Sequence, residues 1–393
     1  MSKTISLKSY AKTLMALTVI AAPIGETIAQ TNKVPAEVVA RRLAHQHAKQ
    51  QNPTTAAKKA KAAGVQLYGY VLASDEHDPG LYKFTSNNAA SISLVNSNVQ
   101  CYNAATYVQG TYLSSWFEEN DTQVKFPIHF YEYDTNTWQM KIDKPSPELA
   151  YSAIAMDLTF DPETQQVYGL FSDDDYSGQY KTLGKLVTTY WGENDYTSNS
   201  ETIGELPESM VAITCNRNGD LYTIGRSGKL YAVNKYSGAA KVLGETGYEP
   251  FKLFQSATCD YSTGKIYWAM LDKDYWATRI IEIDPTTGKG TEVCNFIDNY
   301  ANDQITGLYI KQDLTLNTVP QTVSNLSVDL TGLTSGTVKF TMPTKDVKDA
   351  ALSGSLNYTV RLNGVVAKTG TAAAGATVTT DFTTKISGMT SVS

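Results

Sequence analysis

At 393 residues, with 42% hydrophobic residues and 25 tyrosines, the chain is long enough for two or more domains and is biased toward strands and turns. Its net charge of −6 hides a division: the first 64 residues carry 10 Lys/Arg against 2 Asp/Glu, and the remainder carries 23 against 37. So acidic a body excludes nucleic acid and anionic membrane as partners, since both need clustered cations, and leaves glycans, extracellular proteins and cations as the expected ones.

In chain order, Lys3, Lys8 and Lys12 precede an apolar run, Leu14–Ile24, and Thr27-Ile28-Ala29 offers a cleavage site before Gln30. Residues 1–29 therefore read as an export signal, with the periplasm, cell surface or medium as destination. The run is shorter than the ~20 apolar residues of a spanning helix and no later stretch approaches that length, so a membrane-spanning chain is not expected. Residues 30–64 read as a solvated basic pro-segment or linker. Pro35–Gln51 is helix-compatible, with Val38, Val39 and Leu43 on one side and Arg41, Arg42, His45, His47 and Lys49 elsewhere. His45 and His47 are two apart and do not share a helix face, which argues against a metal pair.

From Val65 a unit of four short strands recurs, clearest at residues 210–244: Val211–Cys215, Leu221–Gly225, Leu230–Val233 and Lys241–Leu243. The turn between first and second strands reads Asp161-Pro-Glu-Thr-Gln-Gln-Val-Tyr168, Asn216-Arg-Asn-Gly-Asp-Leu-Tyr222 and Asp260-Tyr-Ser-Thr-Gly-Lys-Ile-Tyr267. Asp or Asn opens such a turn by bonding the backbone two residues on, and Gly takes the φ > 0 position. Second-strand tyrosines at 68, 112, 168, 222 and 267 mark one four-stranded blade per repeat. The units fall at about 102–145, 152–207, 209–247 and 254–297. The first unit, 65–98, lacks its innermost strand, and Ile305–Ile310 is expected to supply it, closing a ring.

This pattern resembles the bacterial β-propellers built on an Asp-x-x-Thr-Gly-x-Val/Ile/Leu-Tyr turn, found in secreted and surface proteins. The fold class expected over residues 65–312 is all-β: a five-bladed propeller, six blades being the alternative, closed by a C-terminal strand. Blade two departs from the motif, with no Asp…Gly turn in Tyr102–Tyr112. After a linker at 313–322, residues 323–393 read as a partial antiparallel β-sandwich with strands Val323–Leu330, Gly336–Pro343, Leu356–Val366 and Ala376–Thr384. The phrases VPQTVSNLSVDL, GTVKFTMPT and LNYTVRLNGVVAKTG resemble a fibronectin type III module of secreted bacterial proteins. It is short for its kind and lacks the usual tryptophan, so the module is expected to be truncated and the chain a piece of a longer one.

Cys101, Cys215, Cys259 and Cys294 show no metal-ligand or redox spacing and are expected as packing thiols. His77 and His129 have no motif around them, so nucleophilic catalysis lacks support. Acidic loops are the distinctive polar feature. The loops between second and third strands carry Asp75, Glu76 and Asp78, then Glu118 and Glu119, then Asp173, Asp174, Asp175 and Tyr176, then Asp272, Asp274, Tyr275 and Trp276, with Trp116 nearby. In a propeller these loops share one rim, where aromatics suit sugar rings and carboxylates suit Ca²⁺ or a cationic partner. A full calcium-loop motif is absent, and no other cofactor is expected. A glycosidase would need two or three carboxylates converging from inner strands. Only Asp157 and Asp303 are candidates, and Asp157 is expected to bond a neighbouring backbone amide. The reading is an exported, non-enzymatic binding or adhesion protein that uses a propeller face for glycan or protein contact. A channel-centred carbohydrate-active enzyme and a structural module of a longer surface protein are the alternatives.

Overall fold

The computed structural model describes residues 34–51, 64–101, 104–117, 128–145, 155–172, 179–191, 195–251, 255–297, 301–312, 320–332, 335–346, 349–362 and 365–383. The expected export signal lies outside them. Two compact units are present: one takes in most of the chain up to Gln312, the other residues from Asp313 onward with the turn Val233–Ala239.

The first unit is all-β apart from one helix among the described residues, α1 (Ala36–Gln51). Its strands form five four-stranded antiparallel sheets. The first contains β1 (Gln66–Ala73), β2 (Gly80–Thr85) and β3 (Asn88–Asn96). The second runs β4 (Ala105–Val108), β5 (Thr111–Phe117), β6 (Ile128–Asp134) and β7 (Met140–Pro145). The third runs β8 (Ala155–Asp161), β9 (Gln166–Phe171), β10 (Thr182–Trp191) and β11 (Asp195–Glu205). The fourth runs β12 (Met210–Cys215), β13 (Leu221–Gly225), β14 (Lys229–Val233) and β15 (Ala240–Glu245). The fifth runs β16 (Ser256–Cys259), β17 (Ile266–Leu271), β18 (Thr278–Ile283) and β19 (Gly290–Asn295). The first sheet takes its fourth strand from the other end of the unit: β20 (Gln304–Tyr309) pairs β1 through Val71↔Ile305, Tyr70↔Thr306 and Tyr68↔Tyr309.

Turn chemistry explains why the chain reverses where it does. The Asp161, Asn216 and Asp260 side chains each accept the backbone N–H two residues on. Each turn has one left-handed residue near its end: Gln165 at φ 56° and Gly264 at 74° in fifth place, and Gly219 at 77° in fourth. The second sheet departs from this motif because its hairpin is tighter. Val108 pairs with Thr111, and Gln109 (φ 44°) and Gly110 (φ 88°) form a two-residue turn of the type that needs φ > 0 twice.

Packing is between neighbouring sheets. Leu67, Val71 and Phe84 of the first sheet meet Tyr267, Ile280 and Phe296 around Ile305 and Leu308 of β20. Each such fully buried aliphatic side chain contributes roughly 1.5–3 kcal/mol. The first strands contact one another in the order β4, β8, β12, β16, β20 and back to β4. Where β20 passes the second sheet, Gly307 (φ 54°) leaves no room for a side chain: a Cβ there would strike the Tyr112 hydroxyl, Ala105 Cβ and Cys101 Sγ.

The second unit has a three-stranded sheet, β21 (Ser324–Leu330), β22 (Ser335–Thr341) and β25 (Thr377–Thr383), in the order β21-β22-β25, and a two-stranded one, β23 (Ser355–Leu362) and β24 (Val365–Ala373). Val338, Phe340, Val378 and Phe382 of the first sheet and Val360 of the second share one core. The strand expected over Leu356–Val366 is divided between β23 and β24, because Leu362 pairs with Val365 across a two-residue connection whose sequence is Asn-Gly, the strongest short hairpin signal.

Candidate functional site

Asp157, the first inner-strand carboxylate, is fully buried and saturated. Its Oδ1 accepts from Leu158 N at 3.1 Å and Ser256 Oγ at 2.9 Å, and its Oδ2 from Ile213 N at 3.0 Å and Ala257 N at 3.2 Å. Ser256 Oγ in turn accepts from Leu308 N at 2.9 Å. One carboxylate and one hydroxyl thus tie β8, β12, β16 and β20 together. Complete burial pushes the Asp157 pKa well up, and the Ile213 N–H, Ser256 hydroxyl and remaining amides pull the other way. With every lone-pair direction facing a donor of the fold, this group is a joint between strands and not an acid presented to a substrate.

The rim tells more. α1 lies against the loop Ser74–Asp78 of the first sheet and the loop Asp272–Trp276 of the fifth. Its docked stripe is Val38, Arg41, Arg42 and His45, the i, i+3, i+4, i+7 positions of one helix face. Val38 is 3% and Arg42 6% exposed. Arg42 Nε donates to Tyr275 O at 2.7 Å, Nη2 to Trp276 O at 3.1 Å, and Nη1 to both Asp75 carboxylate oxygens at 3.0 Å. Asp75 Oδ2 also accepts from Asn302 Nδ2 at 2.7 Å, and Asp75 N donates to Ala301 O. Arg41 Nη1 donates to Asp274 O at 2.8 Å and Oδ1 at 2.9 Å, and the His45 ring stands edge-on to Tyr275 at 5.6 Å. The Arg41 pair is open to water and contributes about 1 kcal/mol at most; the buried Arg42 guanidinium, with Nη1 on both oxygens of a partly exposed Asp75 and its other nitrogens on two carbonyls, fixes position.

Two expectations about this segment are revised. The helix is packed over this stripe, not wholly solvated, and Val39 and Leu43, expected on its apolar side, point outward at 38% and 45% exposure. The docked stripe is mostly polar because its partner surface is acidic, so of the three apolar residues expected on one side only Val38 lies on it. Arg42, Asn302 and the carbonyls of Tyr275 and Trp276 were not read as site residues. The one signal pointing to them was the opposition of a basic first segment to an acidic body.

Both loops hold their shape through side-chain to backbone bonds. Ser74 Oγ accepts from Glu76 N and His77 N and donates to Ala301 O. Asp272 Oδ1 accepts from Asp274 N and Tyr275 N, Oδ2 accepts from Arg279 Nε at 2.7 Å, and Trp276 closes the turn at φ 50°. The second inner-strand candidate, Asp303, is fully buried with Oδ1 2.7 Å from His77 Nδ1, and its Oδ2 has no partner among the described residues. That hydrogen bond raises the His77 pKa against the opposing effect of burial. Asp157 and Asp303 are each tied up in separate contacts.

Of the other expected rim residues, Glu76 and Asp78 are exposed, and the Asp78 carbonyl accepts the Tyr82 hydroxyl at 3.0 Å. Trp116 sits on β5 opposite His129. Glu118, Glu119, Asp173, Asp174, Asp175 and Tyr176 lie outside the described residues. Among the described residues no group of three or more His, Cys, Asp or Glu is placed to hold a metal ion. Cys101, Cys215 and Cys259 are buried and Cys294 is partly so. Burial pushes the Cys101 and Cys259 thiols up to about 12. No described helix is long and apolar enough to cross a membrane.

No known protein family matches this sequence, and no curated protein does. Among solved structures the chain is similar to a protein of unknown function from Bacteroides thetaiotaomicron VPI-5482, at 11% identity and TM-score 0.34, over 71% of this chain and 60% of that one. It is similar to apo AztD from Citrobacter koseri at 12% identity and TM-score 0.27, over 60% and 56% of the two chains. It is also similar to TolB from Acinetobacter baumannii at 11% identity and TM-score 0.34, over 59% and 51%. The chain thus spans 51–60% of the length of these three. These are distant likenesses.

Proposed function

We propose that this chain is an exported binding protein: a five-bladed β-propeller closed by β20, whose rim between the first and fifth blades grips an arginine-bearing helix, followed by a fibronectin type III-like spacer. The observation that carries it is the Arg42 fork. A guanidinium buried on the rim has all three nitrogens engaged, Nη1 with both oxygens of one carboxylate and Nε and Nη2 with two convergent carbonyls, a donor-acceptor match that suits an arginine. The cyclic contact order of the first strands supports the closed five-bladed reading. The leader at residues 1–29 supports export, with 30–64 serving as a linker that carries its own rim ligand. The saturation of Asp157 favours a binding role over a glycosidase.

The test is exchange in trans. A fluorescent peptide of residues 34–51 is titrated into the wild-type chain and into Arg42→Ala. Binding is expected to Arg42→Ala, whose own helix no longer holds the site, and to be at least about tenfold weaker to wild type. Absence of binding to either chain, with α1 in Arg42→Ala as protected from hydrogen exchange as in wild type, overturns the reading.

A further inference from the structure

A second place on the first unit carries the marks of a ligand site, independent of the rim. Between the first and second sheets lies a cleft of about 310 Å³, at the small end of the ~300–1,000 Å³ of small-molecule sites and roomy enough for one or two sugar rings. Its walls include Tyr68, Tyr309 and Trp138, and its mouth Lys83 and Lys311.

Three observations point to an occupant. Tyr309 is 98% buried, yet its hydroxyl has no partner among the described residues. Such a donor inside a fold is expensive unless something else satisfies it. Burial, with Tyr68 and Tyr107 close by, pushes its pKa well up, so the hydroxyl stays protonated. Tyr68 and Tyr107 hold that ring from both sides, stacked at 4.9 Å and 5.4 Å, so its orientation is fixed before any ligand arrives.

Trp138 is the second observation. It closes the turn opened by Asp134, where the equivalent turns opened by Asn234 and Asp284 have Gly238 and Gly288 at φ 72° and 73°. Trp138 adopts the same left-handed backbone at φ 57°, a conformation that a bulky residue occupies only under constraint. A tryptophan stands where siblings use glycine, held edge-on to Tyr112 at 6.4 Å so that its side chain lines the cleft in a fixed place.

Charge is the third. Lys83 is the cross-strand partner of Tyr68, and Lys311 lies two residues beyond Tyr309. Neither meets a carboxylate among the described residues; Lys311 Nζ reaches only Asn136 Oδ1 at 3.0 Å and Thr135 O at 3.5 Å. In so acidic a body, two uncompensated cations beside one aromatic cleft select an anion with a ring. We infer that this cleft binds an acidic sugar, its ring against Tyr68 and Trp138 beside the fixed Tyr309, and its carboxylate between Lys83 and Lys311.

The test uses the full chain and calorimetric titration of digalacturonate against the neutral disaccharide digalactose. Saturable binding of the uronate is expected, at least about tenfold tighter than the neutral sugar and weakened by salt. Trp138→Gly keeps the turn, because glycine prefers that backbone, and is expected to lose about tenfold in affinity; Lys83→Gln with Lys311→Gln is expected to lose as much while preserving the melting temperature. Equal affinity for both sugars, no saturation by about 10 mM uronate, or full affinity in Trp138→Gly would each overturn the assignment. So would benzoate binding where the uronate does not.

Discussion

Arg42 Nη1 lies 3.0 Å from both oxygens of the Asp75 carboxylate, donating from a guanidinium that is 6% exposed to a carboxylate that Asn302 holds from the other side. Removing the carboxylate leaves a cation with little access to water. Asp75→Asn is therefore expected to weaken helix docking by about 2–3 kcal/mol, somewhat under the range for fully dry pairs. A sixteen-residue helix without its docking surface is marginal in water, so α1 should melt locally while the sheets persist. Trypsin cleavage after Arg41 or Arg42, much faster in Asp75→Asn than in wild type, checks this. Arg41→Ala should cost under about 1 kcal/mol in the same assay, because its partner is solvated.

Asp157 is the stronger test of the architecture. Asp157→Asn keeps the shape but turns an amide N–H₂ toward donors that need acceptors. The expected loss is about 2–4 kcal/mol, read as a melting temperature lower by roughly 5–15 °C in calorimetry. Ser256→Ala removes the hydroxyl that links Asp157 to Leu308 N and should cost less, about 1–2 kcal/mol.

The His77–Asp303 contact gives a pH dependence with a definite sign. The Asp303 hydrogen bond raises the folded-state pKa of His77 above its unfolded value of about 6.5. The imidazolium therefore binds its proton more tightly when folded, and its contribution to stability is fully present below about pH 6.5 and lost as pH rises through the elevated folded value. Melting curves of wild type and His77→Gln should converge as pH is raised across that window. A gap that widens toward alkaline pH would contradict the assignment.

Gln109 offers a gain of stability. Its φ of 44° and that of Gly110 at 88° make a turn for which Asn-Gly is the preferred pair. Gln109→Asn should stabilise by about 0.5–1 kcal/mol, despite losing an exposed 3.2 Å bond to Gln165, and raise the denaturation midpoint without changing the slope.

What could be read in the one-dimensional chain is local. The Asp161, Asn216 and Asp260 turns, the alternating strands between them and the recurring tyrosines located all five sheets, because each device acts within a few residues. The same kind of signal, Asn-Gly at 363–364, marks the division of the strand expected over Leu356–Val366. Even the return of β20 to the first sheet was legible, since a unit lacking one strand and a strand lacking a unit imply each other.

The use of the charged and aromatic residues was decided only in three dimensions. Arg42 meets Tyr275 across 233 positions and Asp157 meets Ser256 across 99, so no local pattern records either bond. The sequence groups Val38, Val39 and Leu43 on one side of α1, yet only Val38 is buried, because the docked stripe runs through Arg42 to an acidic partner surface. By itself the sequence determined which segments are strands, where they turn, and that a basic first segment precedes an acidic body. Tertiary structure decided that α1 of this segment docks on the acidic loops Ser74–Asp78 and Asp272–Trp276, because charge complementarity between distant segments has no period along the chain.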